Sequence, residues 1–284
     1  MGVYLKEFST HAEYDAYING SGAILPNVSI CTTEGDVHYN PYVEPVETRL
    51  VLTFNVTDTS SPTNLFFNVG GYWGTPYTAC TSIEIDGVEQ STVNPTYTFS
   101  TTGRHIVKCE FSDPTMIPNI CFSGCSNIVD VKVPDIVETI GYSAFTYCGL
   151  TSVTFTEDSH LDKIDTGAFR ACTGITSVGK FGDGSSVELP STITTFGGGP
   201  FSYNENLLTM VIQENVTKMG NTFFYECTSL QSVTVEAVTP PSLGRDMLYL
   251  SNRNAPIYVP AESVSAYKAA AGWKQYPSNI QAIS

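Results

Sequence analysis

Residues 140–155 read Ile140-Gly-Tyr-Ser-Ala-Phe145-Thr-Tyr-Cys148-Gly-Leu150-Thr-Ser-Val153-Thr-Phe155. An apolar residue and a glycine lead to a phenylalanine, a cysteine follows three residues later, and a short alternating apolar run closes the unit. Moving outward, the phenylalanine recurs at 122, 145, 169, 201 and 224, in steps of 23, 24, 32 and 23. Five residues before each stand Ile117, Ile140, Ile164, Phe196 and Met219, and three residues after it Cys125, Cys148, Cys172, Asn204 and Cys227. Six after come Ile128, Ile175, Leu207 and Leu230, with Leu150 one position early in its unit. The closing runs are Val131/Val133, Val153/Phe155, Met210/Ile212 and Val233/Val235. The third unit has Val178 and then an insertion through Gly182-Asp183-Gly184, which accounts for the step of 32. The frame glycine returns as Gly141, Gly197 and Gly220.

A unit of about 23 residues cannot bury its own apolar face, so the units must stack and cover one another. Their closing runs then line up as one parallel sheet at about 4.8 Å per strand. Period-two alternation sends Val153 and Phe155 inward and Ser152 and Thr154 outward. Thr209 and Val211, Ser232 and Thr234, and Asp130 and Lys132 share that outer face.

Eight cysteines invite a disulfide reading. The four in the repeat position form an inward ladder with parallel side chains, poorly oriented for S–S geometry. They read as small buried groups donating weakly to backbone carbonyls, and Asn204 in the same position fits that role. Cys121 and Cys125 lack a histidine partner for zinc. Cys80 and Cys109 stay open as a pair.

Before the repeats, residues 46–113 read as an all-β unit with strand candidates at 50–56, 65–69, 82–85 and 97–99 and a hairpin turn at Asp86-Gly87. From 105 to 111, Val107, Cys109 and Phe111 alternate with Ile106, Lys108 and Glu110. A small β-sandwich of immunoglobulin-like form is expected there. Residues 1–45 read as a small cap: a capping box at Thr10–Glu13, a helix to about Ile18, and strands at 27–31 and 36–40 around Glu34-Gly35. Three regions result, 1–45, 46–113 and 114–284.

The 284 residues are 42 % hydrophobic, enough for a core, and only 14 % charged. Thirteen Lys and Arg against 28 Asp and Glu leave a net charge of −15, which argues against nucleic acid and anionic membranes as partners. No apolar run is long enough for membrane insertion. MGVYLKEFST shows no signal-peptide pattern, so the chain either avoids that export route or begins after a removed segment.

The motif Ile140-Gly141-x-x-Ala144-Phe145-x-x-Cys148, echoed by Ile164-x-x-x-Ala168-Phe169-x-x-Cys172, resembles the BspA-like leucine-rich repeat family. Thr239-Pro240-Pro241, Ile257-Tyr258-Val259-Pro260 and Val264-x-Ala266-Tyr267-Lys268-x-Ala270-x-x-Trp273 resemble its C-terminal cap. Covering residues 114–284, the resemblance implies a right-handed solenoid with a parallel sheet on one face and a helical cap. It also implies bacterial surface or secreted proteins, some of them adhesins for host proteins, and no enzymatic activity. The first 113 residues resemble domains that precede such repeats in gut bacterial proteins.

No nucleophile elbow, phosphate loop or zinc-helix motif occurs. His11, His38, His105 and His160 are scattered, and strand or surface roles are expected for them. Gly197-Gly198-Gly199-Pro200 lacks the lysine of a phosphate cradle, and Asp158, Asp162 and Asp165 lack a calcium-loop spacing. The Asn27, Asn55 and Asn215 acceptor patterns are read as accidental. Neither cofactor nor metal is expected. Two candidate binding surfaces remain. One is the hydroxyl strip of Ser152, Thr154, Thr209, Ser232 and Thr234. The other is the loop at 70–77, whose Tyr72, Trp73 and Tyr77 could stack on a sugar or anchor a protein. The expected function is non-enzymatic adhesion, with the solenoid as a rigid platform for a host or bacterial surface protein. The alternatives are a carbohydrate-binding module built on the 70–77 loop and a structural part of a phage or surface particle.

Overall fold

The computed structural model describes residues 29–31, 37–39, 47–66, 76–180 and 182–283. The N-terminal helix expected near 10–18 lies outside them. The chain divides into two compact units, Met1–Glu47 and Thr48–Ser284. In the first, β1 (Ser29–Cys31) pairs antiparallel with β2 (Val37–Tyr39), as the turn residues between them anticipate.

The second unit opens with β3 (Leu50–Val56), β4 (Thr63–Asn64), β5 (Cys80–Ile85), β6 (Val88–Glu89), β7 (Thr96–Tyr97) and β8 (Gly103–Phe111). Asp86 (φ 49°) and Gly87 (φ 81°) both take left-handed backbone between the paired residues Ile85 and Val88. That is the turn twist a two-residue hairpin favours. β3 lies antiparallel to β8, and β8 to β5.

The repeats follow as pairs of strands. They are β9 (Met116–Ile117), β10 (Ile128–Lys132), β11 (Thr139–Ile140), β12 (Ser152–Thr154), β13 (Lys163–Ile164), β14 (Ser177–Lys180) and β15 (Val187–Leu189). After them come β16 (Thr195–Phe196), β17 (Thr209–Ile212), β18 (Lys218–Met219), β19 (Ser232–Val235), β20 (Ser242–Leu243) and β21 (Ile257–Val259). The C-terminal cap is α1 (Val264–Ala269) and β22 (Ile280–Ala282). The fold is mainly β, a parallel-sheet solenoid of about seven turns with one short helix near the C-terminus.

Two sheets enclose a single core. The smaller has six two-residue parallel strands in the order β20-β18-β16-β13-β11-β9. The larger has twelve, in the order β22-β21-β19-β17-β14-β15-β12-β10-β3-β8-β5-β6. The strands expected to build a separate immunoglobulin-like sandwich therefore extend the repeat sheet. β10 pairs antiparallel with β3, which covers an edge that would otherwise expose unpaired backbone groups. The only second layer among the described residues of 48–113 is the two-stranded β4–β7 ladder. Leu65 and Phe66, expected in a strand, follow β4 in bend conformation.

The insertion adds β15 between β12 and β14. Gly182 and Gly184 both have positive φ, and their amides donate to the Glu188 carboxylate at 3.0 and 2.9 Å. This lets a short loop return the chain parallel to itself, where a dozen or more residues are usual.

The phenylalanine ladder is inside. Phe122, Phe145, Phe169, Phe201 and Phe224 are all fully buried. Successive rings from 122 to 201 stack at 5.2, 5.6 and 5.5 Å with interplanar angles of 14° or less. Phe66 adds a ring ahead of Phe122 at 5.4 Å. The backbone around each ring explains the regularity. Ser143 and Tyr147 flank Phe145 with positive φ, as do Gly167 and Ala171 around Phe169, and Gly199 and Tyr203 around Phe201. Alternate left-handed residues aim alternate amides along the solenoid axis. The amides of Ser143, Phe145 and Tyr147 thus donate to the carbonyls of Thr166, Ala168 and Arg170 in the next turn at 2.8–2.9 Å. A left-handed non-glycine costs about 1–2 kcal/mol, and these ladder bonds hold it in place.

The buried cysteines behave as their positions suggest. The Cys148, Cys172 and Cys227 thiols donate to the carbonyls of Phe122, Phe145 and Phe201 in the preceding turn at 3.1, 3.0 and 3.2 Å. Burial pushes the Cys125, Cys172 and Cys227 thiols up to about 12. Asn204 Nδ2 reaches both Phe169 and Phe201 carbonyls, at 3.0 and 2.9 Å, but its Oδ1 is buried without a partner. Ser251 donates to the Phe224 carbonyl in the same way. It reveals a further turn, Leu243-Gly244-x-x-x-Leu248-x-x-Ser251, in which leucine stands for phenylalanine and serine for cysteine. Tyr267 and Trp273 seal the end: both are fully buried, donating to the Ala237 and Pro241 carbonyls at 2.6 and 2.7 Å.

Candidate functional site

Three outer surfaces carry polar or aromatic groups in register. The first is the anticipated hydroxyl strip on the twelve-stranded sheet. Parallel pairing sets Asp130 beside Ser152 and Lys132 beside Thr154; further along, Ser177, Thr209 and Ser232 form one row and Val211 and Thr234 another. The predicted residues Ser152, Thr154, Thr209, Ser232 and Thr234 do share a face. Four of the charges around them are paired, Arg104 with Asp130 and Lys180 with Glu236 at 2.5 Å. Few bulky side chains stand on it to anchor a partner.

Tyr72 and Trp73 of the 70–77 loop lie outside the described residues. Tyr77 falls in the 3₁₀ turn Pro76–Ala79, and only its backbone is described.

The second surface is a row of rings that sequence reasoning did not assemble. Arg170 Cζ sits 4.4 Å over the Tyr203 ring, Tyr203 lies 5.0 Å from Tyr225, and Tyr225 lies 5.6 Å from Tyr249. Arg253 Cζ closes the row 5.9 Å from Tyr249. Arg170, Tyr203, Tyr225 and Tyr249 project from the turn between the core phenylalanine or leucine and the cysteine position, just beyond the buried ladder, and Arg253 follows two residues after Ser251. The Tyr203 hydroxyl beside it holds the Tyr225 phenol above its ordinary range. Tyr249 is 43 % exposed and its neighbour Leu250 47 %. The signal was present as an aromatic one or two residues before Cys148, Asn204, Cys227 and Ser251. Contact across turns only follows once the register is known.

The third surface is a groove of about 750 Å³ over the six-stranded sheet. In each two-residue strand the second side chain enters the core and the first faces out. Register therefore builds an outer row of Thr139, Lys163, Thr195, Lys218 and Ser242. The turns that follow supply Arg170, Thr166, Asn221 and a bare backbone at Gly197–Gly199, Gly220 and Gly244. Close stacking demands those glycines: a Cβ on Gly220 would lie 2.4 Å from the Gly197 carbonyl. Lys163 pairs with Asp165 at 2.8 Å. Burial opposes ionisation of Asp165, but that ammonium and the Thr166 amide outweigh it and hold the carboxyl below its usual range.

In β3–β8, the antiparallel strands that cap the N-terminal end of the repeat sheet, His105 is buried, with Nδ1 2.7 Å from Asp86 and Nε2 2.9 Å from the Thr101 carbonyl. It is a structural residue of the hairpin. Cys80 and Cys109 are free thiols, and the Cys109 thiol beside it lowers the Cys80 pKa. No cluster of three or more metal-binding side chains occurs among the described residues.

The model of the BspA type leucine rich repeat region, with six copies, matches residues 92–184 and 115–252. Similar solved structures include a leucine-rich repeat protein from Bacteroides ovatus, 19 % identical with a TM-score of 0.29, covering 51 % of this chain and 46 % of that one. Another is the pneumococcal vaccine antigen PcpA, 14 % identical with a TM-score of 0.37, covering 62 % of this chain and 46 % of that one. The chain thus spans less than half the length of either. No curated protein matches the sequence.

Proposed function

The chain belongs to the family of BspA-type leucine-rich repeat regions, and from that premise we propose that it is a non-enzymatic adhesion platform that binds a protein partner at a bacterial surface. The observation that carries this reading is the row Arg170, Tyr203, Tyr225, Tyr249 and Arg253. Tyrosine and arginine are the side chains that dominate protein–protein hot spots. Here they are held at ring-stacking distance by a rigid backbone, so little rotamer entropy is lost when a partner docks. The solenoid supplies a scaffold in which each turn is bonded to the next.

The test is surface plasmon resonance of the protein over immobilised host matrix proteins. Saturable binding that weakens by about tenfold or more in both Tyr225→Ala and Tyr249→Ala, with the thermal midpoint within about 2 °C of wild type, supports the reading. Binding that survives both substitutions, or no saturable binding to any member of the panel, overturns it.

A further inference from the structure

We propose that the groove over the six-stranded sheet binds an anionic saccharide, a chain carrying uronate or sulfate groups. The inference goes beyond the protein-binding reading and does not depend on it.

The molecule carries 28 acidic residues against 13 basic ones, yet this groove gathers Lys163, Lys218 and Arg170 with Asp165 as its one lining carboxylate. Asp165 is taken by Lys163. Among the described residues no carboxylate pairs with Lys218 or with Arg170, whose guanidinium carbon instead lies 4.4 Å over the Tyr203 ring. Both cations therefore keep their charge-assisted bonding capacity for an incoming anion.

Spacing and lining point to a sugar chain. Lys163 spends one of its three ammonium donors on Asp165 and stands in one row with Lys218, with Thr195 between them, so two strand spacings put the origins of the two lysines about 10 Å apart. A linear saccharide with an acidic group on alternate residues presents charge in that manner, with neutral hydroxyls between. Ser143, Thr166, Thr195, Thr222 and Ser242 surround the cations with hydroxyls. The exposed ring of Tyr142 stands at one end as a stacking face. Of the aliphatic and phenylalanine members of the lining, Phe196 and Met219 are turned into the core and Leu243 is half-buried against it, so little apolar surface is offered to a peptide side chain. The glycine backbone keeps the floor low enough for a pyranose to lie along it.

Isothermal titration tests this with four probes: a sulfated heparin hexasaccharide, a hexagalacturonate, neutral cellohexaose and a hexaglutamate peptide. The expected result is saturable binding of at least one acidic saccharide, weakening as salt rises, with cellohexaose and hexaglutamate bound far more weakly. Lys218→Gln, at an exposed position, should weaken that binding by about tenfold or more. Arg170→Gln should do the same, and Lys132→Gln, on the twelve-stranded sheet, should leave it unchanged. Binding of neither acidic saccharide overturns the proposal. Equal binding of cellohexaose or hexaglutamate overturns the ligand class, and an undiminished affinity in Lys218→Gln overturns the site.

Discussion

The repeat turns and the antiparallel strands before them share one sheet but are stabilised by opposite means. Within the repeats one contact is copied: rings 5.2–5.6 Å apart and nearly parallel, each backed by a thiol, amide or hydroxyl on a carbonyl of the turn before. In the cap every contact is different. Phe54 and Phe99 are tilted at 6.3 Å, Tyr97 meets Phe99 edge-on at 4.9 Å, and Phe99 lies 4.4 Å from the imidazole of His105. Translation along an axis repeats a geometry, so rings at equivalent positions must lie parallel. Antiparallel pairing has no such operator, and each side chain finds its own partner. These antiparallel strands therefore carry the His105–Asp86 pair and the Cys80 thiol, whose pKa the neighbouring Cys109 lowers, while burial raises the thiols of the solenoid ladder.

The largest effect should come from cutting the copied ladder. Phe145→Ala removes a ring stacked on both sides and should cost about 3–5 kcal/mol in urea unfolding; a change near zero would deny Phe145 its interior place. Asn204→Ala strands the Phe169 carbonyl, leaves the Phe201 carbonyl with the Cys227 thiol alone, and should cost about 1–3 kcal/mol. Asn204→Cys, which restores the residue of the other turns and removes the orphaned Oδ1, should cost less than the alanine; equal losses would show that the carbonyl bond contributes nothing.

In the cap the effect is pH-linked. Burial alone would lower the His105 pKa, but the Asp86 carboxylate and the Thr101 carbonyl overcome it, and the folded value lies above 6.5. The stabilisation from the charged pair is thus complete below about pH 6.5 and is lost as pH rises through the folded pKa. His105→Gln should flatten the pH dependence of the thermal midpoint over that window; an unaltered profile would remove the pair from the account. The smallest effect leaves stability untouched. In native protein a thiol reagent should label Cys80 before Cys125, Cys172 or Cys227, as peptide mapping by mass spectrometry would register, because their thiolates are suppressed by burial.

Much of the solenoid was legible because its rules are local and periodic. The five phenylalanines and the inward cysteine ladder follow from spacing, and the capping role of Tyr267 and Trp273 from the resemblance of their segment to the family's C-terminal cap. The turn at 243–251 was written in the same frame but disguised, with Leu248 and Ser251 replacing the two marker residues. Alternation at 50–56 and 103–111 identified strands but not their neighbours. A strand's period says which face is buried and nothing about which edge pairs with it, so the joining of β3 to β10 was not readable. The hydroxyl strip was readable as a face, though not the ion pairs Arg104–Asp130 and Lys180–Glu236 that flank it.

The amino-acid order alone determined that chain after about residue 114 must coil and stack, since apolar positions repeated every 23 or so residues have no other way to leave water. Tertiary structure alone decided which outward groups meet. The ring row from Arg170 to Arg253 and the groove between Lys163 and Lys218 join residues tens of positions apart, and only the register between turns, set by backbone bonds along the axis, brings them within reach.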